Sequence, residues 1–223
     1  RWREASVVFQ AAQGAWNPAL TIGQQMLDTC ADHGFPAHQQ RRQQLLGQVR
    51  LNAERVIDSY PHQLSGGMRQ RALIAMSLML EPELLILDEP TTALDLITQS
   101  YIFDILAEIH QTGLTMILVT HDLAAVARLA DRVAVLYAGT VVEVGAAEQI
   151  FKNPQHPYTQ VLIRSCPDVH GGEVVRGAEG LPPDLRNRPP GCIFAGRCGE
   201  AIERCRVDVP LLVNGVACWR RSS

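Results

Sequence analysis

The chain has 223 residues, enough for one domain or for a domain with a small appendage, and 47% of them are hydrophobic. A net charge of −3 provides no electrostatic footprint for nucleic acid, which disfavours DNA- and RNA-binding proteins. No apolar run reaches the roughly 18 residues that a membrane-spanning helix needs.

The N-terminal third is predicted to contain one short strand followed by helices. Residues 6–9 have the pattern of a strand. Thr21 is the N-cap candidate for a helix over 21–32. Ser65 is the next N-cap candidate, for a helix that reaches about Leu80.

Two continuous apolar runs, 84–87 and 116–119, are predicted to be parallel strands that are covered on both faces. Between them, residues 96–110 have helical periodicity, so the three segments form a βαβ unit. A β-hairpin is predicted next, because two further strand patterns flank the turn pair Ala138-Gly139.

Beyond Phe151 the composition changes to a stretch rich in proline and glycine. We therefore predict a division in the range 150–165, with one domain over 1–150 and a C-terminal extension over 151–223. Cys30 and Cys166 stand apart from the other cysteines and are interpreted as packing or surface thiols.

Two acidic residues, Asp88 and Glu89, follow the first apolar run. In open α/β sheets, ligands bind just outside the carboxyl ends of the strands. An Asp there can hold Mg²⁺, directly or through water, and a Glu beside it can orient a water for attack on a γ-phosphate. The alternative is a strand that simply ends in two solvated acids.

The run 64–71 has the sequence Leu-Ser-Gly-Gly-Met-Arg-Gln-Arg. Gly66 and Gly67, directly after Ser65, are expected to leave the helix N-terminus bare, with N–H groups facing outward toward phosphate oxygens. Side chains at these two positions would block that approach. The alternative is an ordinary Ser-Gly-Gly turn. That interpretation is common for Ser-Gly-Gly alone and much less so for the whole octapeptide.

Two more polar residues follow predicted strands. His121 ends the second apolar run on the same sheet edge as Glu89, where it can bond a γ-phosphate or hold the attacking water. Gln10 ends the first strand, and its amide can contact Mg²⁺ or the lytic water. Each signal is weak by itself, and a structural or solvated role is the alternative for His121.

Together these four patterns resemble the ATPase subunit of ABC transporters, from Val7 to about Gly145. The resemblance implies an α/β fold with a P-loop NTPase-type parallel sheet, an α-helical signature subdomain over about 11–80 and a core over 81–150. It also implies ATP and Mg²⁺ as ligands. The resemblance implies that Gln10 is the Q-loop glutamine and that Ser65, Gly66 and Gly67 belong to the signature. It implies that Asp88 is the Walker B aspartate and Glu89 the catalytic glutamate. It also implies that Asp95 is the D-loop aspartate and His121 the switch histidine.

One family element, the phosphate-binding Gly-x-x-x-x-Gly-Lys-Ser/Thr loop, is missing from the sequence. Family order puts this loop upstream of Gln10, so the start at Arg1 is interpreted as a truncation and the sheet as incomplete. ATP hydrolysis is therefore expected of the complete subunit. The alternative is an inactive fragment that lends its signature to a partner.

Two segments beside the core resemble the di- and oligopeptide import group of ABC transporters, which also includes nickel importers. Residues 13–23 are similar to the loop that faces the membrane subunits in that group. Residues 153–159, Asn-Pro-Gln-His-Pro-Tyr-Thr, are similar to the motif that follows the core, where His156 and Tyr158 are expected to be structural.

Four cysteines crowd the tail: Cys192, Cys198, Cys205 and Cys218. They are separated by five, six and twelve residues, whereas structural zinc usually takes two close pairs. This spacing favours a [4Fe–4S] cluster over Zn²⁺, with reduced structural thiols as the third possibility. The resemblance agrees, because peptide importer ATPases of this type have a four-cysteine C-terminal segment associated with an iron–sulfur cluster.

As a whole, the resemblance implies an importer subunit that is peripheral to the cytoplasmic face of the membrane. It implies a head-to-tail pair with a second ABC ATPase subunit, contact with transmembrane permease subunits, a separate solute-binding protein and no nucleic acid. The predicted cargo is a di- or oligopeptide, or a related solute such as nickel. The rival is a non-transport ABC-type ATPase acting on DNA or ribosomes, which the lack of heptads and of a basic surface disfavours.

Overall fold

A computed structural model describes residues 3–10, 14–36, 39–165 and 179–221. The chain divides into two compact units, Arg1–Ala125 and Val126–Ser223. The division that the sequence predicts near residue 150 stays a prediction. Cys166 and residues 11–13 of the predicted loop fall outside the described ranges.

The first unit contains a sheet of three parallel strands in the order β1-β2-β3. In the register of this sheet, Val8 pairs with Leu87, and Asp88 pairs with Val119. All three strands therefore end at one edge. The strands are β1 (Ala5–Val8), β2 (Leu84–Asp88) and β3 (Thr115–Val119).

Helices surround these strands in the sequence order that the βαβ pattern predicts. No helix in the described ranges combines the length and the apolar character that a bilayer span requires. The helices are α1 (Ile22–Asp32), α2 (Gln39–Gln48), α3 (Ala53–Ile57), α4 (Gly66–Ser77), α5 (Leu96–Gln111) and α6 (Leu123–Leu129).

Both predicted N-caps are confirmed. The Thr21 hydroxyl accepts a hydrogen bond from the Gln24 N–H at 3.2 Å, and the Ser65 hydroxyl accepts one from the Met68 N–H at 3.3 Å. Helix α4 ends at Ser77, three residues before the predicted end. After Ser77 the N–H groups of Leu78 and Met79 donate to carbonyls three residues back, those of Ala75 and Met76, so the last turn is tighter than an α-helix.

The two central apolar runs differ in how they are covered. Leu85 and Leu87 of β2 are fully buried, as predicted. Ile117 and Val119 of β3 are about half exposed within the described part of the chain. The prediction that β3 is covered on both faces is therefore wrong for the described residues, where β3 is an edge strand of the sheet.

The second unit is built on an antiparallel hairpin of β4 (Arg132–Tyr137) and β5 (Thr140–Ala146), which confirms the predicted hairpin. Ala138 and Gly139 both have positive φ, 49° and 74°, as a two-residue type I′ turn requires. Three helices follow: α7 (Ala147–Lys152), α8 (Pro157–Arg164) and α9 (Glu203–Val207). Phe194 is buried against the hairpin residues Tyr137 and Val142.

Candidate functional site

The carboxyl edge of the parallel sheet holds an acidic pair in an unusual backbone conformation. Asp88 is the last residue of β2, and Glu89 follows it with φ of 48°. The Glu89 N–H donates to the Val119 carbonyl at 2.9 Å, which ties this turn to the end of β3. A left-handed residue with a Cβ is rare, and such residues cluster at functional sites.

Glu89 and His121 form a hydrogen-bonded pair across this edge. Nδ1 of His121 lies 2.7 Å from Oε1 of Glu89, and the Thr92 hydroxyl donates to Oε2 at 2.9 Å. The bond to His121 lowers the pKa of Glu89, and the carboxylate in turn raises the pKa of His121. The pair thus keeps Glu89 ionised, and the structure brings together two residues that the sequence predicts on one edge.

Thr92 was not singled out in the sequence. Its hydroxyl reaches Glu89 because the Thr92 N–H also donates to the Glu89 carbonyl, at 3.2 Å, which closes a tight turn. The available signal was a hydroxyl residue three positions after the acid, in Glu-Pro-Thr-Thr. Such a residue can bond back to the carboxylate when the chain turns.

Asp88 and Gln10 lie at the ends of neighbouring strands. The half-buried Asp88 carboxylate accepts no hydrogen bond from any described residue, and Gln10 is exposed two residues beyond β1. Their oxygen atoms suit Mg²⁺, which typically takes one or two carboxylates and completes its shell with water and substrate phosphates. No three described His, Cys, Asp or Glu side chains are gathered in a way that could hold a metal ion.

The two signature glycines differ from each other in exposure. Ser65 is exposed and Gly66 is half-exposed, but Gly67 is buried. A methyl group on Gly67 would collide with Cγ2 of Thr98, whereas one on Gly66 would make only ordinary contact with Leu94 at 3.6 Å. The missing side chain of Gly67 therefore makes room for α5, and the predicted contact of Gly66 and Gly67 with a phosphate stays a prediction.

Asp95 is the N-cap of α5. Its carboxylate accepts hydrogen bonds from the Thr98 N–H at 2.9 Å and from the Thr98 hydroxyl at 2.7 Å. These bonds lower the pKa of Asp95. Thr98, which the sequence interpretation missed, therefore joins Asp95 to Gly67. The predicted contact between Asp95 and a nucleotide stays a prediction.

The four tail cysteines line one pocket in the second unit, together with His156 and Phe194. The Cys192 N–H donates to the Cys205 carbonyl at 2.8 Å. Gly191 permits this approach, because a Cβ there would collide with that same carbonyl. This bond places the backbone of Cys192 beside that of Cys205.

The Cys192 and Cys198 thiols are in an environment that favours the neutral form. Burial raises the pKa of Cys192 and of Cys198, and the neighbouring cysteines raise both values further. Their side chains are nonetheless not gathered as ligands of one ion. Four thiolates around one Zn²⁺ would lie about 3.8 Å apart, since Zn–S bonds are about 2.3 Å long in a tetrahedral site. The choice between a cluster and a zinc ion stays a prediction.

A buried polar group supports one side of the pocket. The fully buried Glu143 carboxylate accepts hydrogen bonds from the Gln155 N–H at 2.8 Å and the His156 N–H at 2.9 Å. His156 is the N-cap of α8, and its Nδ1 accepts from the Tyr158 N–H at 3.1 Å. Burial lowers the pKa of His156 to about 4. These contacts agree with the structural role that the sequence predicts for His156 and Tyr158.

Comparison with protein families gives two matches along the chain. Residues 2–92 match the ABC transporter family model. Residues 142–205 match the model of the oligopeptide/dipeptide transporter C-terminal region. The first match covers β1, the signature run and the Asp88-Glu89 pair, and the second covers the hairpin strand β5 and three of the four tail cysteines.

Curated relatives match nearly the whole chain. The dipeptide transport ATP-binding protein DppD of Caldanaerobacter subterraneus is 47% identical over 94% of this chain and 66% of its own length. DppD of Bacillus subtilis is 45% identical over 92% of this chain and 63% of its own length. DppD of Escherichia coli is 43% identical over 98% of this chain and 68% of its own length. This chain belongs to the ABC transporter ATP-binding proteins of the dipeptide and oligopeptide group. It spans about two thirds of the length of these relatives.

Solved structures agree on the fold of this ABC protein. CbiO1 from Clostridium perfringens, part of the ABC transporter complex CbiONQ, matches 67% of the chain and 60% of its own with a TM-score of 0.60 and 30% identity. The ATP-binding cassette MJ0796, a dimer bound to ADP and phosphate, matches 66% of the chain and 64% of its own with a TM-score of 0.56 and 27% identity. The predicted P-loop NTPase-type α/β fold is confirmed.

Proposed function

We propose that this ABC protein is the ATP-binding subunit of an importer, and that it couples ATP hydrolysis to the uptake of di- or oligopeptides or of a related solute such as nickel. The observation that carries the proposal is the Glu89–His121 pair beside Asp88 at the carboxyl edge of the sheet. The names of the DppD relatives support dipeptides as the cargo.

Glu89 is the residue proposed to activate water. Its ionised carboxylate accepts a hydrogen bond from the attacking water and orients it in line with the γ-phosphate, while His121 supports the carboxylate and the phosphate. Mg²⁺ bound to ATP neutralises charge on the phosphates. Asp88 and Gln10 offer the oxygen atoms that would hold this ion at the strand ends.

The signature run is proposed to act on ATP held by a second ABC ATPase subunit. Ser65 and Gly66 are accessible at the start of α4, and the first N–H groups of a helix lack intrahelical acceptors. Gly67 and Asp95 shape this surface through Thr98. In this proposal the pair closes head to tail, and the Q-loop region after Gln10 moves the transmembrane permease subunits.

The remaining partners follow from the importer assignment. A separate solute-binding protein would deliver the peptide, and the ATPase would lie peripherally on the cytoplasmic face of the membrane. We propose residues 1–150 as the ATPase portion and residues 151–223 as an extension that carries a [4Fe–4S] cluster on Cys192, Cys198, Cys205 and Cys218. The position of all four cysteines around one pocket supports this proposal. Such a cluster supplies one-electron redox chemistry when bound.

Replacing Glu89 by Gln in the full-length subunit tests the ATPase proposal. Loss of the general base should lower ATP turnover by about 10²-fold or more and leave ATP trapped in a stable dimer. The matched variant is Glu108→Gln, in which the lost carboxylate pairs with Arg50 and not with His121. Unchanged turnover in Glu89→Gln would contradict the assignment.

The cluster is tested separately by metal analysis of anaerobically purified protein. The proposal predicts a brown protein that contains iron and acid-labile sulfide. A colourless protein that contains one zinc ion would overturn the cluster and leave the ATPase proposal untouched.

A further inference from the structure

His156 lines the same pocket as the four tail cysteines. It lines the pocket with Cys192, Cys198, Cys205 and Cys218, and only 1% of the residue is exposed. The ring lies against Phe194, with 5.9 Å between the ring centroids. Buried polar groups are usually hydrogen-bonded, so each nitrogen of this imidazole is expected to have a partner.

The backbone around His156 is fixed from two sides. The His156 N–H donates to Oε2 of the buried Glu143, and the preceding N–H, from Gln155, donates to Oε1. The side chain in turn caps α8 through Nδ1, which accepts the Tyr158 N–H at 3.1 Å. The orientation of the imidazole is thus set before any group enters the pocket.

This capping bond also fixes the tautomer of the ring. A nitrogen that accepts a hydrogen bond carries no proton, so the proton of the neutral ring is on Nε2. Nε2–H is therefore a donor, and it has no acceptor among the described residues. Glu200 also lines the pocket, but its Oε2 already accepts from Arg221 at 2.9 Å.

We infer that His156 is a positioning residue for the proposed iron–sulfur cluster, to which its Nε2–H donates a hydrogen bond at a cysteine thiolate or cluster sulfur. This inference rests on the cluster assignment made above and goes beyond the four cysteine ligands. Hydrogen bonds to the sulfur atoms stabilise the reduced, more negative form, so His156 should raise the reduction potential.

Two substitutions separate the donor from the cap. His156→Asn keeps an acceptor for the Tyr158 N–H, since Asn is a good N-cap, but it loses the group at the Nε2 position. His156→Gln places an amide N–H the same number of bonds from Cβ as Nε2 but lacks the short capping acceptor. Circular dichroism and thermal unfolding would establish that both full-length variants are folded.

The decisive measurement is a redox titration of the anaerobically purified protein, followed by electron paramagnetic resonance, with dithionite as the reductant. In His156→Asn, we expect the ratio of reduced to oxidised cluster at a fixed potential to fall about tenfold, which corresponds to about 59 mV for one electron. His156→Gln should stay near the wild-type value. Iron loss from His156→Asn alone would also support the donor role.

Three results would overturn the inference. An unchanged potential in His156→Asn would show that Nε2–H is not bonded to the cluster. Equal shifts, or equal iron loss, in both variants would show that the pocket needs the packing of the ring and not its donor. A wild-type protein without iron would instead refute the cluster proposal itself, so the two failures are distinguishable.

Discussion

Gly67 and Thr98 are in contact, with the bare Cα of Gly67 in the first turn of α4 facing the γ-methyl group of Thr98 in the first turn of α5. Thr98 also donates two hydrogen bonds to Asp95. The signature run and the turn that follows β2 are therefore joined through a single threonine. A change at any of these three residues should affect the other two.

The first prediction concerns Gly67→Ala. Because the added methyl group would collide with the Thr98 side chain, we expect the free energy of unfolding to fall by about 1–3 kcal/mol. Urea denaturation followed by circular dichroism measures this change. Gly66→Ala is the matched control, since its methyl group would meet Leu94 at an ordinary 3.6 Å.

A second substitution identifies the cause of the loss. Thr98→Ser removes the colliding methyl group but keeps the hydroxyl that bonds Asp95. The double variant should therefore recover most of the stability that Gly67→Ala loses. Additive losses in the double variant would show that the contact is not responsible.

The second prediction is a raised pKa for His121, caused by the Glu89 carboxylate 2.7 Å away. Both groups should be charged at pH values between the lowered pKa of Glu89 and the raised pKa of His121. Below this range Glu89 becomes neutral, and above it His121 becomes neutral. A titration of His121 by NMR measures its pKa directly. In Glu89→Gln the value should fall toward the ordinary value of about 6.5.

Added salt provides an independent check on this pair. His121 is largely exposed, so the attraction should be screened, and the pKa difference between wild type and Glu89→Gln should shrink at high ionic strength. Glu108→Gln should leave the His121 titration unchanged, because Glu108 pairs with Arg50. Identical His121 titrations in wild type and Glu89→Gln would refute the ion pair.

The third prediction concerns the buried Glu143. Glu143→Gln replaces one accepting oxygen with an N–H₂ group, which leaves a backbone N–H of Gln155 or His156 unpaired in the interior. We expect a loss of about 1–3 kcal/mol in the free energy of unfolding. Glu148→Gln is the control, since its exposed pair with Lys152 should contribute less than about 1 kcal/mol. Equal losses in the two variants would count against a special role for Glu143.

Local signals in the sequence predicted much of the fold. The caps at Thr21 and Ser65 and the hairpin turn at Ala138 depend only on neighbouring residues, and all three are confirmed. The shared edge of Glu89 and His121 was also predictable, because the carboxyl ends of parallel strands meet at one edge of a sheet.

Features that depend on distant residues were not predictable. The burial of Gly67 requires Thr98, which lies on another helix. The buried Glu143 looks like an ordinary polar residue of a strand, yet its partners are two backbone N–H groups that follow α7. The exposure of Val119 on β3 depends on which element covers that face, and periodicity along one strand carries no such information.

The hydrogen bond from the Cys192 N–H to the Cys205 carbonyl closes a backbone loop between these two residues. Holding the ends of a loop together costs conformational entropy, and here backbone contacts meet that cost. A group that binds Cys192 and Cys205 would thus spend less of its binding energy on ordering this loop. In a zinc finger, by contrast, metal binding must drive the folding of the chain.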